Sequence, residues 1–248
     1  MATKESFLRR AQAFQARYQG AEGLFWIKRV NHPAGAIIAL LLLPTSVTPN
    51  AVTVAGFMVH VLAAVMLVLL EPPLSLFAVV AVLFLWQLAF TLDCTDGQLA
   101  RARGTAGPFG AWLDQIVDVA SHVVLYAALT VVVVRGAELD GVAAGLFGCL
   151  TISASLLQVF STWQRAAVIG SGPPVGIAPP LSLRVLYALR HMMDFGAFLF
   201  VAGLLLIWAP GLMAFLLMMA ALQTGYAGMQ VVLAWRRASR AAGEGDRI

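Results

Sequence analysis

Charge is scarce in this chain. Only 11% of its 248 residues are Asp, Glu, Lys or Arg, against about 25% in a soluble domain. An ordinary soluble enzyme is excluded on that ground. Lysine is nearly missing: Lys4 and Lys28 stand against fourteen arginines. With the abundant alanine, this composition fits a GC-rich bacterial genome. Cysteine occurs twice, at Cys94 and Cys149, which excludes a disulfide framework or a zinc signature. Both thiols fall in apolar helical stretches and read as buried packing groups. The first 31 residues lack an apolar h-region, so no cleavable signal peptide is expected. No internal repeat is visible.

What the chain does have is apolar surface. Hydrophobic residues make up 60% of it, and the mean hydropathy is +0.86. These values describe an all-α integral membrane protein, and the length suits one bundle of six spans with short loops. The net charge of +4 then speaks of membrane orientation and lipid headgroups rather than of nucleic acid.

Residues 4–19 alternate basic and apolar at helical spacing, with Phe7, Ala11, Phe14 and Tyr18 on one face and Arg9, Arg10 and Arg17 beside it. This is the pattern of an amphipathic helix lying on an anionic surface. Residues 22–43 hold an apolar run too short for a span and read as a juxtamembrane helix. Spans are expected at about 50–70, 74–101, 108–135, 139–163, 192–208 and 211–235, separated by Gly/Pro breaks. The chain thus divides into a juxtamembrane segment 1–46, a six-helix domain 47–238 and a tail 239–248. With the N-terminus inside, every Lys and Arg but Arg135 falls on the inner side, and Glu71, Glu138 and Asp140 fall outside. Both termini are therefore expected in the cytoplasm of a cell whose inner membrane holds the protein.

Four aspartates interrupt the apolar helices. A carboxylate within a span is costly and is by default functional. On the second span Asp93, Asp96, Gly97, Ala100 and Arg101 share one helical face; on the third, Gly110, Asp114 and Asp118 share another, continued by Ser121 and His122. Folding the chain at about residue 105 makes the two helices antiparallel and pairs Asp93 with Asp118 and Asp96 with Asp114. Four carboxylates at one level need cations to remain ionised together. Hard divalent metal with oxygen ligands answers this, Mg²⁺ or Mn²⁺, and two ions suit a phosphoanhydride. The bare stripe of Gly97 and Ala100 lets a nucleotide lie against the backbone, Gly110 gives clearance opposite, and Arg101 suits bidentate phosphate contact.

Residues 93–118 read D-x-x-D-G-x-x-A-R-x8-G-x3-D-x3-D. In this the sequence resembles the CDP-alcohol phosphotransferase family, whose signature this is. Thr48-Pro49-Asn50-Ala51-Val52-Thr53 is similar to the start of that family's first span. The resemblance implies a six-helix fold with a surface-lying N-terminal helix, commonly a homodimer, with an active site open to the cytoplasm. It implies that Asp93, Asp96 and Asp114 bind metal, and that Asp118 is the general base and also touches metal. Gly97, Ala100, Arg101 and Gly110 would hold the CDP moiety. The expected reaction moves a phosphoalcohol group from a CDP-linked lipid donor, CDP-diacylglycerol by preference, to an alcohol acceptor, and releases CMP in phospholipid biosynthesis.

Family members with phosphorylated acceptors often carry a Ser-Tyr-x-Lys-Ala-Arg run at the inner end of the fourth span. This chain has Ser161-Thr162-Trp163-Gln164-Arg165-Ala166, with Gln164 in place of the lysine and the arginine one position early. Arg165, Arg184 and Arg190 are candidates for an acceptor or lipid phosphate, and equally for inner-leaflet anchoring. Arg190 and Asp194 stand at ion-pair spacing. His60 and His122 read as packing or hydrogen-bonding groups, Gly141 and Gly145 as a small-residue helix contact, and Trp163 and Trp235 as interfacial anchors. Two other classes compete. An aspartate-rich membrane prenyltransferase would place its acids on separate, distant helices, and a cation-binding carrier would show paired repeats and broken helices. Neither needs glycine, alanine and arginine in register with the acids.

Overall fold

The computed structural model of the chain describes residues 2–20, 24–169, 181, 188 and 193–245. Within these, helices follow one another without a strand: α1 (Ala2–Tyr18), a π-helical turn (Ile27–Asn31) running into α2 (His32–Leu42), α3 (Pro49–Leu69), α4 (Leu76–Arg103), α5 (Pro108–Gly136), α6 (Gly141–Ile169), α7 (Phe195–Leu205) and α8 (Ala209–Gly245). Among the described residues, five helices are long and apolar enough to cross a membrane: α3, α4, α5, Gly141–Gln164 of α6 and Ala209–Arg236 of α8. This is a multi-pass membrane protein. The sixth expected span, 192–208, is represented by the 11 residues of α7, and part of that expected range lies outside the described residues.

The helix ends follow from local chemistry. Thr48 caps α3, its hydroxyl accepting from the Ala51 N–H at 3.2 Å, with Pro49 in the first turn where a missing N–H costs nothing. Ser75 caps α4 in the same way through Ala78. That helix ends at Gly104, whose φ of 67° is left-handed and whose N–H returns to the carbonyls of Ala100 and Arg101. A side chain there would be strained, so glycine ends the helix. Pro108 opens α5 after a short turn. Asp194 caps α7 through the Gly196 N–H and also accepts from the Trp26 N–H at 2.8 Å, tying α7 to the segment before α2. Arg190, its expected ion-pair partner, lies outside the described residues.

Lipid tails are as apolar as leucine, so close packing and polar contacts hold the helices together. Gly56 makes this concrete. A Cβ there would stand 3.3 Å from the Ala89 carbonyl and from Leu92 Cβ, so α3 approaches the α4 backbone as closely as atoms allow. Trp86, Tyr126, Leu129, Leu199 and Leu216 fill the bundle centre. Helix α3 packs on both α4 and α5, while α4 and α5 barely touch each other. The expected hairpin is therefore splayed, and α3 forms the floor of the gap. Helix α1 buries Ala11 and Phe14 and leaves Arg9, Arg10 and Arg17 exposed.

Candidate active site

The gap between α4 and α5 is a cavity of about 620 Å³. Its walls carry Asp96, Gly97, Ala100 and Arg101 on one side and Gly110 and Asp114 on the other, with Thr48, Asn50 and Thr53 of α3 beneath. All four expected CDP-contact residues thus line one space. Asp93 and Asp118 sit deeper, beside a chamber of about 20 Å³ that shares Thr53 with the main cavity.

The aspartates converge. Asp93 lies within electrostatic reach of Asp118, Asp96 and Asp114, and comes within hydrogen-bonding range of Asp114. Asp118 feels Asp114 and Asp96. Asp96 and Asp114 likewise lie within electrostatic reach of each other. Among the described residues, the charged neighbours of Asp93 are acidic. Among the described residues, no three His, Cys, Asp or Glu side chains are yet close enough together to hold an ion. Asp96 and Asp114 face the main cavity from its two walls, and Asp93 and Asp118 face the chamber behind it. Their chemistry, all hard oxygen with negative charge, fits a divalent cation.

Arg101 is held at two points. Its Nε donates to the Tyr18 carbonyl at 2.6 Å. Its two terminal nitrogens lie over Gly97, where a Cβ would stand 3.1 and 3.3 Å away. Gly97 therefore makes room for the guanidinium itself as well as for a ligand. His32, at the start of α2, lies nearby; burial chiefly, then Arg101 and Lys28, hold its imidazole below the usual range and keep it neutral.

Three contacts do not follow from residue spacing. Thr53 is buried and donates its hydroxyl to Asp96 Oδ2 across the α3–α4 contact. Arg103 donates to the carbonyls of Val47, Leu42, Leu43 and Thr45 at 2.5, 2.7, 3.3 and 2.8 Å. The third is the Tyr18 carbonyl on Arg101. Of the remaining candidates, His122 bonds Ser155 of α6 at 2.6 Å and stacks on Phe195, which is a helix-packing role. Arg165 lies on α6, and Arg184 and Arg190 lie outside the described residues.

The described residues thus form an all-helical membrane bundle with acidic and arginine side chains along a cavity of about 620 Å³. The profile of the CDP-alcohol phosphatidyltransferase family matches residues 46–235, and the chain belongs to that family. Two crystal structures of Mycobacterium tuberculosis phosphatidylinositol phosphate synthase share the fold at 21% sequence identity. The one with CDP-DAG bound has a TM-score of 0.53, with 80% of this chain and 92% of that chain covered. The one with manganese and citrate has a TM-score of 0.54, with 80% and 87% covered. No curated protein matches the chain by sequence comparison. The protein is thus a phospholipid-synthesising transferase that moves a phosphoalcohol group from a CDP-linked donor to an acceptor hydroxyl, in a family that depends on a divalent metal ion.

Proposed function

We propose that the donor is CDP-diacylglycerol and that Asp118 is the general base. The observation that carries this is the placement of Asp96 and Asp114 on the cavity whose walls present Gly97, Ala100, Arg101 and Gly110, with Asp93 and Asp118 in the adjoining chamber behind them. Those four residues hold the CDP moiety, with the terminal nitrogens of Arg101 free to take phosphate because its Nε is already engaged. Asp93, Asp96, Asp114 and Asp118 hold the metal, as two ions of Mg²⁺ or Mn²⁺. When bound, the metal supplies charge neutralisation on the diphosphate. Asp118 accepts the proton of the acceptor hydroxyl. The acceptor oxygen forms its bond to the phosphorus next to the donor alcohol as the bond from that phosphorus to the bridging oxygen breaks, and CMP leaves with that oxygen. Positioning and electrostatics supply most of the acceleration. The bound ligands of the solved relatives support this reading: CDP-DAG in one and manganese in the other.

The membrane setting is part of the same reading. The site and both termini face the cytoplasm, α1 lies on the inner leaflet through its exposed arginines, and the six-helix unit works as a homodimer. Arg165, Arg184 and Arg190 are candidates for an acceptor or lipid phosphate, and equally for anchoring the inner ends of their segments.

The test is CMP release by the purified protein in lipid with Mg²⁺ and CDP-diacylglycerol, across a panel of acceptor alcohols. Acceptor-dependent CMP that stops in excess chelator and returns with Mg²⁺ or Mn²⁺ is expected. Turnover that persists in chelator would contradict the metal assignment, and CMP formed only from CDP-linked small alcohols would contradict the donor.

A further inference from the structure

The chamber behind the aspartates carries a group that the reaction above does not use. His60 of α3 is 3% exposed, and its Nε2 is buried with no hydrogen-bond partner. A buried polar nitrogen left unpaired is costly, so native structures supply a partner from protein or from water. His60 lines the same chamber as Asp93, Asp118 and Ser121, and the chamber measures about 20 Å³. One water needs about 10–15 Å³ and two to four polar partners. The volume suffices, and His60, Asp93, Asp118, Ser121 and Thr53 supply the polar partners within a lining that is otherwise apolar.

We infer that this chamber is a binding site for one structural water, through which His60 positions the carboxylates of Asp93 and Asp118 from behind. His60 Nε2–H donates to the water, and the water donates to the carboxylate oxygens turned away from the main cavity. His60 touches no substrate in this arrangement and is a positioning residue. Its contribution is to fix two side chains whose charged neighbours, among the described residues, are acidic. Groups that orient metal ligands from outside carry about 10–100-fold in metal affinity.

The inference rests on the proposed metal role of the aspartates, and its test reads the metal rather than turnover. Mn²⁺ binding to the full-length protein in detergent is followed by the electron paramagnetic resonance signal of free Mn²⁺. His60→Leu, which removes the donor, is expected to weaken binding about tenfold. His60→Gln, which keeps a donor, should stay within about threefold of wild type. Ser121→Val leaves His60 in place but fills the chamber, and should reproduce the loss seen with His60→Leu; it also covers the case in which His60→Leu fails to fold. Thermal unfolding of each variant separates lost structure from lost metal. Wild-type affinity in folded His60→Leu and Ser121→Val would overturn the inference and leave the metal assignment standing. A wild-type protein that binds no Mn²⁺ would overturn both.

Discussion

At the scale of the residue, Asp118 and Gly97 make the sharpest demands. A general base contributes about 10²–10⁴-fold, so Asp118→Asn should lower kcat by about a thousandfold while its elution and melting stay those of wild type. Near-normal turnover in a folded Asp118→Asn protein would remove it from the role of base. Gly97→Ala tests the room left for Arg101. The added methyl would press on both terminal guanidinium nitrogens, so KM for the donor should rise while Mn²⁺ affinity is unchanged. Equal loss in both would mean that the change disturbs the carboxylates rather than the arginine. The spacing of the aspartates already showed which side chains share a face, because helical periodicity converts sequence distance into direction. Thr53 was out of reach of that reasoning. Its partner Asp96 is 43 positions away, and nothing in a Thr-rich helix start marks one hydroxyl as the neighbour of a carboxylate on another helix.

The elements show the same division. Caps at Thr48 and Ser75 and the glycine at 104 obey local rules, and the bounds of α3 to α5 fall within a few residues of their expected positions. How these helices lean on each other does not follow from local rules. The short Gly104–Gly107 turn suggests a tight hairpin, yet its arms barely touch and α3 packs on both, with Gly56 bringing α3 close to the α4 backbone. Arg103 is the connection that sets α3 in place. Its four carbonyl contacts pin residues 42–47, the stretch that delivers Thr48 and Asn50 to the cavity floor. Carbonyls carry no sequence identity, so such a clamp cannot be read from residue types. A hydrogen bond from a charged donor contributes about 1.5–3 kcal/mol, and less at a half-exposed boundary. Arg103→Ala should therefore lower Tm by several degrees, and Arg103→Lys, with a single point of charge, should recover only part. An unchanged melting curve for Arg103→Ala would show that the loop is held by other contacts.

For the whole molecule, the proposed orientation rests on the distribution of arginine. Cysteines introduced at Ala106 and Glu71, in a chain with Cys94 and Cys149 replaced, would report it. An impermeant maleimide should label Ala106→Cys only from the cytoplasmic side and Glu71→Cys only from the opposite side, and the reverse pattern would invert the proposed topology. The splayed arrangement of α4 and α5 has a consequence at this scale. Two walls joined by a turn and a shared floor leave a slot whose lining includes the apolar, exposed Phe109. A donor with two acyl chains can slide in sideways and keep those chains among its neighbours in the leaflet throughout. When the bond breaks, the fragments part according to solubility: the half with tails is already home in the bilayer, and the nucleotide half drifts into water. The protein then needs no machinery for lifting a lipid out of the membrane or for returning one to it.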